Sequence, residues 1–252
     1  MKINGWDISE AQAKQWNVTP GFPEIENESE WQRGSPLPFF TGNFVGFKTI
    51  QITFLVYGNG RNEILENCSM LLSKFLEPAD LELDGFSHKF HGIMSKNDFS
   101  ENPLGRLRIT NNRLSKVTVD FSCYEYAEQP DGSPFQESTS GKSETTVTNP
   151  GNIYTPAAIE ITPQLGMGEL TVTGITYNPD TGEDIPVTIR KLTADKTVVL
   201  DGETGIWTED GQKKSSDDID IWALPSLRPG ANNITLSSQR INLSVKFRPR
   251  YM

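Results

Sequence analysis

Gly141-Lys142-Ser143 has the ending of a phosphate-binding loop, in which backbone amides and a lysine cradle phosphoryl groups. The first glycine of that motif belongs at position 136, which is Gln136, and the surroundings are Ser, Thr and Gly instead of a strand running into a helix. The tripeptide therefore reads as a turn. Asp80-Leu81-Glu82-Leu83-Asp84-Gly85 offers the oxygen ligands that open a calcium loop, but its twelfth position is His91 where a bidentate Glu is required. Its alternating leucines suit a strand entering a turn. His88 and His91 are the only two histidines. On a strand their spacing sends them to opposite faces, a poor arrangement for a shared metal.

Nucleophilic and metal-assisted hydrolysis leave no signature: GxSxG, HExxH and a Ser/His/Asp arrangement are all missing, and the C-terminal half contains neither His nor Cys. Carboxylate pairs exist at Glu183-Asp184 and Asp217-Asp218, both in polar turns. Glycoside hydrolysis would need two carboxylates facing one another across a cleft, and acidic turns on a solvated surface are the default reading of these pairs. No catalytic residue, metal ligand or cofactor is assigned. What remains is a binding or assembly role, with Trp207 and Trp222 as saccharide-stacking candidates and an aromatic-rich segment as a protein contact.

That segment runs from Pro20 to Phe47 and holds Phe22, Trp31, Phe39, Phe40 and Phe44 among prolines and acidic residues. Long irregular stretches inside compact domains usually serve function or assembly. Its aromatics either fold onto the domain's own core or contact another subunit, since aromatics dominate both settings. Trp31, Phe39 and Phe40 are the residues expected at an intersubunit contact. Around it the pattern is mostly strand: an Asn4-Gly5 turn follows a short strand, and Ile50, Ile52, Phe54 and Val56 alternate. Ile64, Leu65, Cys68, Leu71, Leu72 and Phe75 recur at helical spacing, with Asn59 or Asn62 as cap and Glu77-Pro78 as the stop. Strands are expected over 81–83, 86–94 and 106–110, and most clearly over 113–125, with Val117, Val119, Phe121 and Cys123 inward.

Residues 1–128 are thus expected to form an N-terminal α+β or β-rich sandwich domain with one helix. Ser, Thr, Gly, Pro and Gln dominate residues 129–144, which read as a linker. Residues 145–252 show no helical period. Their short runs (158–162, 170–176, 186–190, 197–200, 219–222, 234–236 and 241–247) imply an all-β sandwich or jelly roll. The gap between the last two runs is short enough for a hairpin.

At 252 residues each half can build its own core without staples. Cys68 and Cys123 have no partner spacing and read as buried thiols in a reducing compartment. The amino end lacks the apolar stretch of a cleaved signal, and no run is long enough to span a membrane. A net charge of −10, spread over both halves, disfavours direct nucleic-acid binding.

Several short patterns, in order, resemble the distal tail proteins of long-tailed phages infecting Gram-positive bacteria. They are Met1-Lys2-Ile3-Asn4-Gly5-Trp6-Asp7-Ile8, the aromatic segment, the 50–57 strand with its helix, and Pro156 to Ile161. To these add Leu227-Arg228-Pro229-Gly230-Ala231-Asn232-Asn233-Ile234 and Val245-Lys246-Phe247-Arg248-Pro249-Arg250-Tyr251. The resemblance implies a mainly β, two-domain structural protein whose C-terminal β-sandwich is galectin-like. It implies a homo-hexameric ring at the virion tail tip, assembled in the host cytoplasm. The ring would join the tail tube protein and the tape-measure end to a hub or lysin protein and to receptor-binding or upper baseplate proteins. The HxNxR and WxxExR strands of galactoside-binding galectins are missing, since Trp207 is followed by Thr208-Glu209-Asp210. The other reading is a carbohydrate-binding module recognising a host cell-wall saccharide.

Overall fold

The computed structural model describes residues 1–30, 33, 36, 39–100, 113–178 and 181–252. The chain divides into two compact units: Met1–Glu28 with Asn43–Ala127 and Met252, and Glu128–Tyr251 with Ser29–Gly42.

Strands of the N-terminal half are β1 (Lys2–Ile3), β2 (Trp6–Asp7), β3 (Ala13–Pro20), β4 (Ile25–Glu30), β5 (Phe39–Val45) and β6 (Lys48–Tyr57). After helix α1 (Arg61–Ser73) come β7 (Ala79–Glu82), β8 (Lys89–Ser100) and β9 (Leu114–Tyr126). The first unit's antiparallel sheet runs β2-β1-β7-β8-β9-β6-β3, while β4 and β5 form a separate two-stranded ribbon. Alternation explains the sheet's inner face. Ile50, Ile52, Phe54 and Val56 of β6 and Val117, Val119, Phe121 and Cys123 of β9 are all buried. Helix α1 and a 3₁₀ turn at Ile8–Ala11 lie over that face through Ile64, Cys68, Leu71, Ile8 and Ala11. The Phe75 ring sits 6.2 Å from Phe54 and 6.0 Å from Phe121, within the range where tilted and edge-on rings attract.

Two local details differ from expectation. The helix cap is Gly60, not Asn59 or Asn62, and no side chain caps it. Instead the Glu63 carboxylate reaches back and accepts from the Asn59 backbone N–H at 2.8 Å, so a residue inside the helix closes its own start. The Pro20–Phe47 stretch, expected to be irregular, contains the β4–β5 ribbon. Its aromatic and β-branched residues from Phe39 to Val45 favour a strand there. The expected strand at 106–110 lies outside the described residues. At the Asn4-Gly5 turn both φ angles are positive, +49° and +78°, the geometry that joins β1 to β2 in a two-residue hairpin.

The second unit contains β10 (Phe135–Ser140), β11 (Glu144–Asn149), β12 (Thr155–Pro163), β13 (Met167–Thr173), β14 (Val187–Leu192), β15 (Val198–Asp201), β16 (Trp207–Glu209) and β17 (Gln212–Lys213). It continues with β18 (Ile219–Asp220), β19 (Ser226–Leu227), β20 (Gly230–Leu236) and β21 (Ile241–Phe247). One sheet runs β10-β21-β12-β15-β16-β17, with β19 beside β12, and the other runs β11-β20-β13-β14-β18. Their inner faces share one core that includes Ile159, Ile161, Val172, Ile189, Leu200, Ile234 and Val245.

Here the structure corrects two readings. The 129–144 segment is not all linker, because β10 lies within it and pairs with β21 from Phe135↔Phe247 to Ser140↔Asn242. A Ser- and Thr-rich strand suits a sheet edge, where only one side needs a partner. The two terminal runs are not a hairpin either: β20 pairs with β11 and β13, whereas β21 pairs with β10 and β12. Ile234 and Leu236 and the alternating Ile241, Leu243, Val245 and Phe247 all enter the same core, so the strands face each other across the sandwich. Ser237 fixes the crossing. Its N–H donates to the Thr171 carbonyl at 2.9 Å and its Oγ accepts from the Thr171 N–H at 3.0 Å.

Candidate assembly surfaces

The histidine and acidic clusters marked in the sequence form bonds within the protein. His88 Nδ1 lies 2.6 Å from Glu125 Oε1, and the buried Lys48 ammonium bonds the other carboxylate oxygen. Burial alone would push the Glu125 carboxyl up, but Lys48 and His88 outweigh it and hold the group below its ordinary value. His91 Nδ1 lies 2.8 Å from Asp80 Oδ1, which also accepts from the Tyr126 hydroxyl at 2.9 Å. The two histidines thus serve separate carboxylates. Asp84 accepts from the Met1 amino group at 2.6 Å. The tripeptide at Gly141 is the turn between β10 and β11, where the Gly141 N–H donates to the Ile241 carbonyl at 3.1 Å and φ is +69°.

One member of each carboxylate pair forms an ion pair. Asp184 meets Arg228 at 2.8 Å, and that guanidinium lies 3.8 Å above the Tyr177 ring. Asp218 meets Lys191 at 2.7 Å; this bond holds the Asp218 carboxyl below its usual value and the Lys191 ammonium above its own. Among the described residues no group of three or more His, Cys, Asp or Glu could hold a metal ion, and no helix is long and apolar enough to cross a membrane. Burial pushes the Cys68 thiol to about 11 and the Cys123 thiol to about 12, which leaves both protonated and inert. Trp207 packs partly against the second core, leaving Trp222, 84 % exposed, as the free-standing tryptophan of the pair. A shallow groove of about 340 Å³ crosses the outer face of the β10-β21-β12-β15 sheet, lined by Ser138, Ser140, Glu160, Thr162, Asn242 and Ser244. Ser140 donates to Asn242 at 2.6 Å, and Lys246 to Glu160 at 2.6 Å.

The apolar surface is concentrated elsewhere. Beyond β3 the chain stays paired with the strand returning to β6: the Gly21 N–H donates to the Thr49 carbonyl, and the Gly46 N–H to the Glu24 carbonyl, each at 2.8 Å. These bonds join the β3–β6 edge of the sheet to the β4–β5 ribbon and make one continuous arm. Phe22 and Phe47 lie in the two connections between these strands, 87 % and 68 % exposed, and Ile25 at the start of β4 is exposed too. Large aromatics at that exposure are the usual anchors of protein interfaces. Of the expected contact residues, Trp31 lies outside the described residues, and Phe39 and Phe40 are consecutive on β5. Phe22 and Phe47 flank the arm's base and were not singled out; the signal available for them was the Gly beside each, which lets another backbone come close.

No protein-family model matches the chain, and no curated protein matches it. Among solved structures, the crystal structure of the SPP1 Dit protein superposes with a TM-score of 0.72 over 99 % of this chain and 98 % of that one, at 11 % identity. The chain has the fold of a phage tail hub protein. SPP1 Dit is described as a paradigm of the hub adsorption apparatus in phages that infect Gram-positive bacteria. A chain of the phage P2 baseplate in its activated conformation matches more loosely, with a TM-score of 0.48 and 11 % identity over 97 % of this chain and 92 % of that one. In SPP1 Dit the correspondence runs through both compact units, so the shared feature is the whole two-unit fold and not one sandwich alone.

Proposed function

We propose that this protein is a structural virion component that closes into a homo-hexameric ring at the distal end of a phage tail. The observation that carries the reading is the end-to-end correspondence with a hub adsorption protein. Structural bonds at each potential catalytic cluster and an aromatic arm base left open to solvent support it. Residues 1–128 form the ring-building domain, and residues 145–252 form a galectin-like docking domain that faces accessory proteins. The arm spanning Pro20–Phe47 acts as a strap against the neighbouring copy, with Trp31, Phe39 and Phe40 at that contact. The ring's partners are the tail tube protein and tape-measure end on one side, and the hub or lysin protein and receptor-binding or upper baseplate proteins on the other. Light scattering of the purified chain, with negative-stain images of the same sample, tests this: a six-fold ring supports it, and a monomer even beside tail tube protein sinks it.

A second reading, recognition of a host cell-wall saccharide by the second unit, is favoured by the hydroxyl-rich sheet groove and by Trp222. It predicts heat on calorimetric titration with purified wall polysaccharide and loss of that heat in Trp222→Ala.

A further inference from the structure

An asparagine followed by glycine can react with its own backbone. The glycine amide nitrogen closes on the asparagine side-chain carbonyl carbon, because no Cβ on the second residue blocks the approach. The chain has two such pairs, Asn4-Gly5 and Asn59-Gly60, and both asparagines are exposed. Along the sequence they are equivalent. The fold separates them.

Asn4 is held twice. Its Oδ1 accepts from the Asp80 N–H at 2.7 Å, and its own N–H donates to the Asp80 carbonyl at 2.8 Å, so side chain and main chain are both tied to β7. Reaction there requires the side chain to leave Asp80 and swing onto the Gly5 nitrogen, within a turn whose φ angles are +49° and +78°. Asn59 is held by its main chain alone. Its N–H donates to the Glu63 carboxylate at 2.8 Å. Among the described residues neither its side-chain amide nor the Gly60 N–H has a hydrogen-bond partner. The Gly60 carbonyl accepts from the Ile64 N–H at 3.1 Å, and a Cβ built on Gly60 would meet nothing within 4 Å. The reacting side chain is thus free to rotate beside an anchored backbone with open space around it.

We infer that Asn59 is a self-modification site, where the folded protein converts a side-chain amide to a carboxylate ahead of Asn4. The Gly60 nitrogen gives up its proton and bonds to Asn59 Cγ, and the side-chain nitrogen leaves with that proton as ammonia. Water then adds to either carbonyl of the cyclic imide and reopens it. One opening gives aspartate at position 59; the other gives isoaspartate, with the main chain lengthened by one methylene. Water is the sole co-reactant, and nothing is oxidised or reduced. The new carboxylate stands just before the start of α1, whose glycine cap makes no side-chain bond, and negative charge is favoured there. The isoaspartate form puts one more backbone atom between the residue-59 N–H and Glu63, which displaces the bond that closes the helix start. The inference is independent of the ring reading.

The test ages the full-length chain in mildly alkaline buffer made with heavy-oxygen water, and mass spectrometry of its peptides follows label at each position. In native protein Asn59 should take up label on the order of tenfold faster than Asn4, whose bonds to Asp80 must first break. In urea the two sites should react at similar rates. Gly60→Ala, at an extended backbone position with open space, should slow position 59 on the order of tenfold and leave Asn4 unchanged. Circular dichroism checks that this variant keeps its fold. Equal rates at both sites in the native protein would overturn the inference, as would an Asn59 that reacts only in urea. A preference for Asn59 that persists undiminished in urea would assign the selectivity to local sequence and remove the role given to the fold. Gly60→Ala reacting as fast as wild type would refute the attack by the Gly60 nitrogen.

Discussion

Lys48→Met is the most informative single change to the first unit. Lys48 enters the sheet at the first residue of β6, its side chain only 7 % exposed, and bonds Glu125, itself 17 % exposed. Removing the ammonium leaves a mostly buried carboxylate with His88 as its remaining partner among the described residues. Breaking a buried pair from one side costs about 3–5 kcal/mol, and the remaining His88 bond and partial water access bring the expected loss to about 2–3 kcal/mol. Acid should narrow the gap. In the wild type the Glu125 carboxyl titrates below its unfolded value, so its stabilisation is present above the unfolded carboxylate pKa and fades as pH falls through the folded one. In Lys48→Met burial is no longer outweighed, the carboxyl rises, and protonation relieves the orphaned charge. The two proteins should therefore differ most near neutrality and converge below about pH 4. Replacing both partners, Lys48→Met with Glu125→Met, should recover most of the loss, because two apolar side chains leave no buried charge. The assay is hydrogen exchange of β6 and β9 amides under mild denaturant, which reports this unit separately from the other. A single-variant loss under about 0.5 kcal/mol, or a double variant as unstable as the sum of the singles, would refute the reasoning.

Other outcomes follow from the same physics. Gly174→Ala should destabilise the second unit by about 2–4 kcal/mol in chemical denaturation, because φ is +82° and a Cβ would lie 2.1 Å from the Asn233 carbonyl oxygen. Asn149→Ala should cost about 2–3 kcal/mol by the same measure, since this buried amide accepts from the Gly151 N–H at 2.9 Å and donates to Thr155 at 3.1 Å and the Leu227 carbonyl at 3.3 Å. Iodoacetamide at mildly alkaline pH should leave Cys68 and Cys123 unmodified in the native protein and alkylate both in urea, given thiols pushed to about 11 and about 12. Trp31→Ala and Phe39→Ala should lower ring mass by light scattering while leaving the thermal unfolding midpoint nearly unchanged.

Much of the fold was legible because strand periodicity is a local signal. The alternation from Ile50 to Val56 and from Val117 to Cys123 needs no knowledge of partners, and it marked the faces that are buried. Partnership was not legible. Whether Leu236 and Ile241 flank a hairpin or a crossing between sheets depends on which neighbours each strand finds, and the short gap permits either. β10 was missed for a related reason: an edge strand with one apolar residue, Phe135, has almost no pattern to read. The surfaces were half legible. The sequence marked an aromatic-rich segment, but it did not show that backbone pairing at Gly21 and Gly46 would leave Phe22 and Phe47 exposed beside it. The carboxylate partners of the two histidines, Glu125 on β9 and Asp80 on β7, were invisible along the chain.

The central claim is the ring, and its most direct test is the mass of the purified full-length chain by light scattering, with negative-stain images of the same fraction. The account predicts a single species of six subunits and a six-fold ring with an open centre. A monodisperse monomer at every concentration, unchanged by added tail tube protein, would contradict it.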